Sequence, residues 1–175
     1  MLKKTLSICC LLLLVSCGSY NSIDRFYEAH KNDDKVTAIR VPQFLLSMIA
    51  GSSPEMGSLV GNTKDLRFMS FPSTTDSQTR FLNSQMNNIT GTSFIEVFRN
   101  NDELKRHVVS IRERRNTVKE ILIYNNNKRS GSFIYFNGNF DPVKIKQMAQ
   151  SKHFENLDEG LIQHFNVKTP GLVNE

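Results

Sequence analysis

Val118-Lys119-Glu120-Ile121-Leu122-Ile123-Tyr124, then Asn125-Asn126-Asn127-Lys128, then Ser132-Phe133-Ile134-Tyr135-Phe136-Asn137-Gly138, is the stretch that decides the fold. Two runs rich in β-branched and aromatic residues, parted by a short polar connection, predict a pair of antiparallel strands. The pattern continues toward the N-terminus. His107 to Glu113 and Phe94 to Arg99 are two more such runs, linked through Arg114-Arg115-Asn116 and Asn100-Asn101-Asp102. Together they predict a four-stranded meander. On the C-terminal side, Asp141-Pro142 supplies an N-cap and a proline at the first helical position. Ile145, Met148 and Ala149 are the apolar stripe of the helix that follows.

Upstream of the meander the period is mixed. Val36 to Val41 suits a strand, and Asp65 to Phe71, with Leu66, Phe68 and Phe71 apolar, suits a second one closed by Pro72. Between them, Pro42 and Gly51 bracket a helix with Phe44, Leu45, Met48 and Ile49 on one face. Asp76 to Ile89 is a further helix, carrying Phe81, Leu82, Met86 and Ile89 at helical spacing. Ile23 to Glu28 begins a short helix, and Lys31-Asn32-Asp33-Asp34-Lys35 is an exposed turn. Gly51-Ser52-Ser53-Pro54 and Gly57-Ser58-Leu59-Val60-Gly61 predict a mobile connection. The order β-α-β-α-β-β-β-β-α implies an α+β fold: a mostly antiparallel sheet of about six strands with helices packed on one face. The other face would be half-exposed.

The N-terminus has a different logic. Met1-Leu2-Lys3-Lys4 is basic, and an apolar run from Thr5 to Val15 follows. That run holds about a dozen residues, short of the roughly 20 that a membrane-spanning helix needs. A basic region, a short apolar region and small residues at a cut site predict a secretory signal. Leu14-Val15-Ser16-Cys17 looks like a bacterial lipobox, in which the cysteine thiol takes a diacylglyceryl group and the chain is cut before it. The expected organisation is a signal peptide over 1–16, a lipidated Cys17 and tether over 17–22, a single domain over 23–150, and a weakly ordered tail over 151–175. Removing the first 16 residues from 175 leaves 159, the size of one ordinary domain. Cys9 and Cys10 depart with the signal and Cys17 carries the anchor, so the mature domain is expected to lack a free thiol and a disulfide.

The chain carries a net charge of +5, which falls to +3 once Lys3 and Lys4 are removed. That is a mild excess, and no basic and aromatic residues interleave in a nucleic-acid motif. His30, His107, His153 and His164 are too far apart in sequence to pair as ligands on one element, and each is expected to be a solvated surface residue. Asp33-Asp34, Asp102-Glu103 and Asp158-Glu159 lack the alternating acids and glycine of a calcium loop. No metal, no cofactor and no catalytic residues are expected. The most concentrated feature is a candidate basic patch: Arg106, Arg112, Arg114, Arg115, Lys128 and Arg129. Two accounts of it are open. The cations keep strand edges and turns from pairing with neighbours, or they face anionic headgroups or an acidic partner.

Ile23-Asp24-Arg25-Phe26-Tyr27, Asp34-Lys35-Val36-Thr37-Ala38-Ile39-Arg40-Val41 with the helix from Phe44 to Met48, and Asp65-Leu66-Arg67-Phe68-Met69 occur in that order. Val118-Lys119-Glu120-Ile121-Leu122-Ile123 and Phe136-Asn137-Gly138-Asn139-Phe140-Asp141 complete the set. From about Ile23 to Met148 the chain resembles the small Bacteroidetes lipoproteins grouped as domain of unknown function 4252. The resemblance implies placement in a Gram-negative envelope and brings no assigned activity. Surface-exposed lipoproteins of that group often carry acids just behind the cysteine; Gly18-Ser19 carries none, so the resemblance implies outer-membrane attachment facing the periplasm. The expected function is a non-enzymatic envelope lipoprotein that binds an envelope protein or ligand, through the half-exposed sheet face or the segment from Ser52 to Lys64. A hydrolase-type enzyme with scattered residues and a structural or regulatory envelope component are the alternatives.

Overall fold

A computed structural model of the chain describes residues 22–50, 54–71, 75–91, 93–102, 105–127, 130–151, 153–154, 157 and 161. Cys17, Gly51, Pro72, Lys128, Arg129, Asp158-Glu159 and His164 lie outside them. In chain order the elements are α1 (Ile23–His30), β1 (Thr37–Val41), α2 (Gln43–Ala50), α3 (Pro54–Gly61), β2 (Thr63–Phe71) and α4 (Asp76–Thr90). They continue with β3 (Ile95–Asp102), β4 (Lys105–Arg114), β5 (Thr117–Asn127), β6 (Ser130–Phe140) and α5 (Pro142–Gln150).

Local chemistry explains the helix starts. Ser22 accepts a hydrogen bond from the Arg25 amide at 3.3 Å, and Asp24 in the first turn of α1 suits the positive end of the helix. Thr75 and Gln78 exchange side-chain and backbone bonds as a capping box at α4. Asp141 Oδ1 accepts from the Val143 amide at 2.8 Å and the Lys144 amide at 3.2 Å, and Pro142 opens α5. Each cap contributes about 1 kcal/mol.

The six strands form one antiparallel sheet in the order β1-β2-β6-β5-β4-β3. This is the α+β class and the strand count that the pattern predicts. In the hairpin between β4 and β5, Arg114 pairs with Thr117, and the two residues between them, Arg115 (φ 53°) and Asn116 (φ 57°), take the left-handed backbone of a type I′ turn. The other two turns sit further out than expected. Asn100, Asn101 and Asp102 pair with His107, Arg106 and Lys105, and Asn125, Asn126 and Asn127 pair with Ser132, Gly131 and Ser130. The growing ladder outweighs the turn preference of asparagine, as tertiary context commonly does with propensity.

The helices lie on both faces of the sheet, not on one. Leu66, Phe68, Ile121, Ile123, Ile134 and Phe136 pack on one side with Leu46 of α2, Leu59 and Val60 of α3, and Ile145 and Ala149 of α5. On the other side Met69, Phe71, Leu122, Tyr124, Phe133 and Tyr135 pack with Ile23, Phe26 and Tyr27 of α1 and with Leu82, Met86 and Ile89 of α4. The cause is in the central strands. Ile121-Leu122-Ile123-Tyr124 and Phe133-Ile134-Tyr135-Phe136 are apolar at successive positions, so both sides need cover. The half-exposed face therefore does not exist as expected.

Two further segments depart from expectation. The predicted mobile connection contains α3, whose Leu59 and Val60 are buried. Asn62 Nδ2 and Thr63 Oγ1 donate to the Ser58 and Leu59 carbonyls at 2.8 and 2.9 Å and finish the helix. The Asn139 amide then donates to the Asn62 carbonyl at 3.2 Å. That approach requires Gly138, because a Cβ there would stand 2.1 Å from the Asn62 oxygen. The second segment is the expected tail, from which Phe154, Leu157 and Leu161 are buried in the α2/α3/α5 side of the core.

Candidate functional site

The four described residues of the basic set, Arg106, Arg112, Arg114 and Arg115, do not converge. Arg106 and Arg112 share the α1/α4 side of β4 but stand six residues apart, about 20 Å along an extended strand. Arg114 closes the β4–β5 hairpin and Arg115 sits in its turn, both exposed. The strand thus splits the set into an Arg106 end and an Arg112 end.

At the first end the chemistry is that of carboxamides around a phenol. The Tyr124 hydroxyl donates to Asn83 Oδ1 at 2.9 Å, and Asn126 Nδ2 donates to the Tyr124 hydroxyl at 2.8 Å and to Asn83 Oδ1 at 3.2 Å. Arg106 closes the cluster. Its Nη1 donates to the Asn83 carbonyl at 3.3 Å, its Nη2 to Asn87 Oδ1 at 2.5 Å, and its guanidinium lies 5.7 Å from the Tyr124 ring centre. Burial pushes the Tyr124 phenol up from its ordinary range, while Asn126 and Arg106 pull it the other way. Two buried atoms, Asn126 Oδ1 and Arg106 Nε, make no hydrogen bond among the described residues. They leave one acceptor and one donor unspent. On the opposite face of the sheet His107 contacts Asn125 through Nδ1 and meets Phe98 edge-on at 5.3 Å, so it is half-buried and not the solvated residue expected.

The second end holds a charge network that sequence reasoning missed. Arg67, buried in β2, donates from Nη1 to Asp24 Oδ1 at 2.6 Å and from Nε to Asp65 Oδ2 at 2.9 Å. Arg40 donates to the other oxygen of Asp65 at 2.7 Å. The Arg67 guanidinium lies 5.4 Å from the Tyr27 ring centre and 5.6 Å from that of Tyr135. Burial opposes its charge, but the carboxylates of Asp24 and Asp65 outweigh burial and raise its pKa. Asp65, Asn137, Glu120 and Arg112 then face one another in register across β2, β6, β5 and β4. Arg112 donates to Glu120 at 2.8 Å and to Ser93 at 2.9 Å, and stacks 4.4 Å over Phe94. A charged residue between Leu66 and Phe68, in register with Met69 and Phe71, was the available signal.

Burial also pushes the Tyr135 phenol up, to about 12. A phenol in the unfolded chain ionises near 10.0, so between pH 10 and 12 the unfolded state loses a proton that the folded state keeps. The stability this group supports is intact below pH 10 and is lost as the pH rises toward 12, by about 1.4 kcal/mol per pH unit. Urea titrations followed by circular dichroism across that window should show the midpoint falling. A flat midpoint would refute the buried-phenol account.

His30 is the remaining exception to the expected solvated histidines. It is buried, with Nδ1 at 2.6 Å from Asp33 Oδ2 and Nε2 at 3.0 Å from Gln85 Oε1, and it ties α1 to α4. His153 is exposed beside Ser151. Among the described residues, no group of three or more His, Cys, Asp and Glu is placed to hold a metal ion. A depression of about 60 Å³ lies where α3 meets α5, lined in part by Ser58, Asn62, Phe140, Asp141, Lys144 and Met148. Small-molecule sites run from about 300 Å³ upward. Among the described residues, no helix is long and apolar enough to cross a membrane.

A family model matches residues 27–148, from Tyr27 on α1 to Met148 on α5, and so takes in the whole sheet. The chain belongs to the domain of unknown function family DUF4252. The DUF4252 match includes Arg67, Asp65, Arg106 and the Tyr124 cluster, and ends before Phe154, Leu157 and Leu161 add their share to the core. No curated protein matches this DUF4252 chain.

Proposed function

We propose that this chain is a bacterial envelope lipoprotein, a non-enzymatic binding module held at the membrane by acylated Cys17. The observation that carries the reading is the order of basic Met1 to Lys4, apolar Thr5 to Val15, lipobox Leu14-Val15-Ser16-Cys17, and a folded domain opening at Ser22. Two or more acyl chains hold a protein stably on a bilayer, at about 0.8 kcal/mol per buried methylene. Gly18-Ser19, free of acids, supports attachment to the outer membrane facing the periplasm. The binding surface is the Arg106 end of the sheet. There Asn83, Tyr124 and Asn126 fix one another in place beneath half-buried Arg106 and exposed Asn87, a polar rim that favours a polar envelope partner.

The test is crosslinking and recovery of the acylated protein from its native envelope, with Cys17→Ala as the unanchored control. A specific partner that is lost with Cys17→Ala is the expected result. Recovery of the lipoprotein alone would sink the binding reading and direct attention to ligand screening of the domain.

A further inference from the structure

The strand ladders bring six strand termini to one end of the sheet: the last residues of β1, β4 and β6 and the first residues of β2, β3 and β5. The N-terminus of α1 lies at this end. Asp24 in its first turn reaches Arg67, whereas His30 in its last turn packs on Phe71, further along β2. Among the described residues four large apolar side chains stand out as exposed, and three of them are here. Phe44 (68 %) and Val143 (63 %) open the helices that follow β1 and β6, and Ile95 (56 %) opens β3. Phe81 is the fourth, on α4.

The charges at this end are lopsided. Among the described residues its acids are engaged: Asp24 and Asp65 by Arg67, Glu96 by Arg99, Glu113 by Lys146, Glu120 by Arg112, and Asp141 by the backbone of α5. Arg25, Lys64, Arg114 and Arg115 are exposed and make no ion pair among the described residues. Free cations and isolated apolar side chains therefore share one end. That combination suits a bilayer interface, with apolar groups at the acyl boundary and cations at the phosphates.

We infer that this end of the sheet is a docking surface for anionic phospholipid headgroups, resting on the acylation of Cys17 proposed above. Six Cα–Cα steps lead from Cys17 to Ile23, so even a fully extended tether reaches only about 20 Å. The acyl anchor keeps the Phe44/Ile95/Val143 end beside the membrane, and the free cations fix its orientation. The Arg106 end then faces away from the bilayer, where a partner reaches it.

The acylated protein, reconstituted into vesicles of phosphatidylethanolamine with phosphatidylglycerol or of phosphatidylcholine alone, tests this. Spin labels enter through Phe44→Cys, Val143→Cys and, at the opposite end, Lys105→Cys; all three side chains are exposed. Labels at 44 and 143 should lose contact with a water-soluble relaxation agent on the phosphatidylglycerol vesicles, while the label at 105 keeps it. Arg114→Gln and Arg115→Asn should each lower the docked fraction by about fivefold, asparagine being compatible with the left-handed turn. Equal accessibility at all three positions, with the protein still on the vesicles, overturns the docking surface and leaves the anchor standing. Equal protection on phosphatidylcholine overturns its anionic character. Protein in the supernatant without acyl mass overturns both readings.

Discussion

Phe154→Ala is expected to destabilise the domain by about 3–5 kcal/mol, the usual cost of deleting a buried aromatic ring. Phe154 is only 1 % exposed and belongs to the cluster built by Phe68, Phe136, Ile145 and Ala149. The ring lies beyond both α5 and the matched family segment. Its loss would open a cavity between elements that cannot fully collapse. Leu157→Ala and Leu161→Ala should follow with about 2–5 kcal/mol each. Urea denaturation monitored by circular dichroism gives the answer directly. A change below about 0.5 kcal/mol, typical of surface positions, would mean that the segment after Gln150 is not part of the core.

Arg67→Met is the second large effect expected, a loss of about 3–5 kcal/mol. Methionine restores most of the volume but leaves Asp65, whose side chain is 17 % exposed, with Arg40 alone as counter-charge. Removing one partner of a buried pair costs far more than the pair itself contributes, because the surviving charge stays desolvated. Asp24 is the internal control. Its side chain is 76 % exposed, so Asp24→Asn should cost about 1 kcal/mol or less. The two variants together separate a buried electrostatic clamp from ordinary surface pairing. Similar small losses for both would show that Arg67 is not held as its geometry indicates.

The meander was the most legible part of the fold. Its runs alternate or cluster β-formers, and its links are short, so neighbouring strands had little choice but to pair. The second helical layer was legible in principle. Phe133-Ile134-Tyr135-Phe136 has no polar side to expose, and a strand of that kind sits between two covered faces. The helix at Pro54 was hidden by its glycines and serines, whose weak propensity is overcome by the burial of Leu59 and Val60. Apolar Phe154, Leu157 and Leu161 follow a 3–4 spacing that fits a helical turn, but they are few, and only the neighbouring core makes them informative.

The site was less legible than the fold. Arg106 and Arg112 were visible as charges, yet what each does depends on contacts to other elements, from Arg112 to Glu120 across 8 positions and to Ser93 across 19, and from Arg106 to Asn87 and Asn83 across 19 and 23. Arg67 finds Asp24 across 43 positions. No local period encodes such pairs. The one local hint at each position was a polar residue on a strand whose same-face neighbours are apolar, as with Asn126 beside Tyr124 and Arg67 beside Met69.

The pairing of β2 with β6 has a consequence for how the chain is made. Phe71 finds Gly131 and Leu66 finds Phe136, so the inner edge of β2 stays open until nearly the whole domain has been synthesised. The meander forms from near neighbours, but β2 must close a long loop before any contact rewards it. Until then the β1–β2 pair exposes Leu66, Phe68, Met69 and Phe71 on two faces. A nascent chain in that state is prone to pair with others like itself until the last strand arrives.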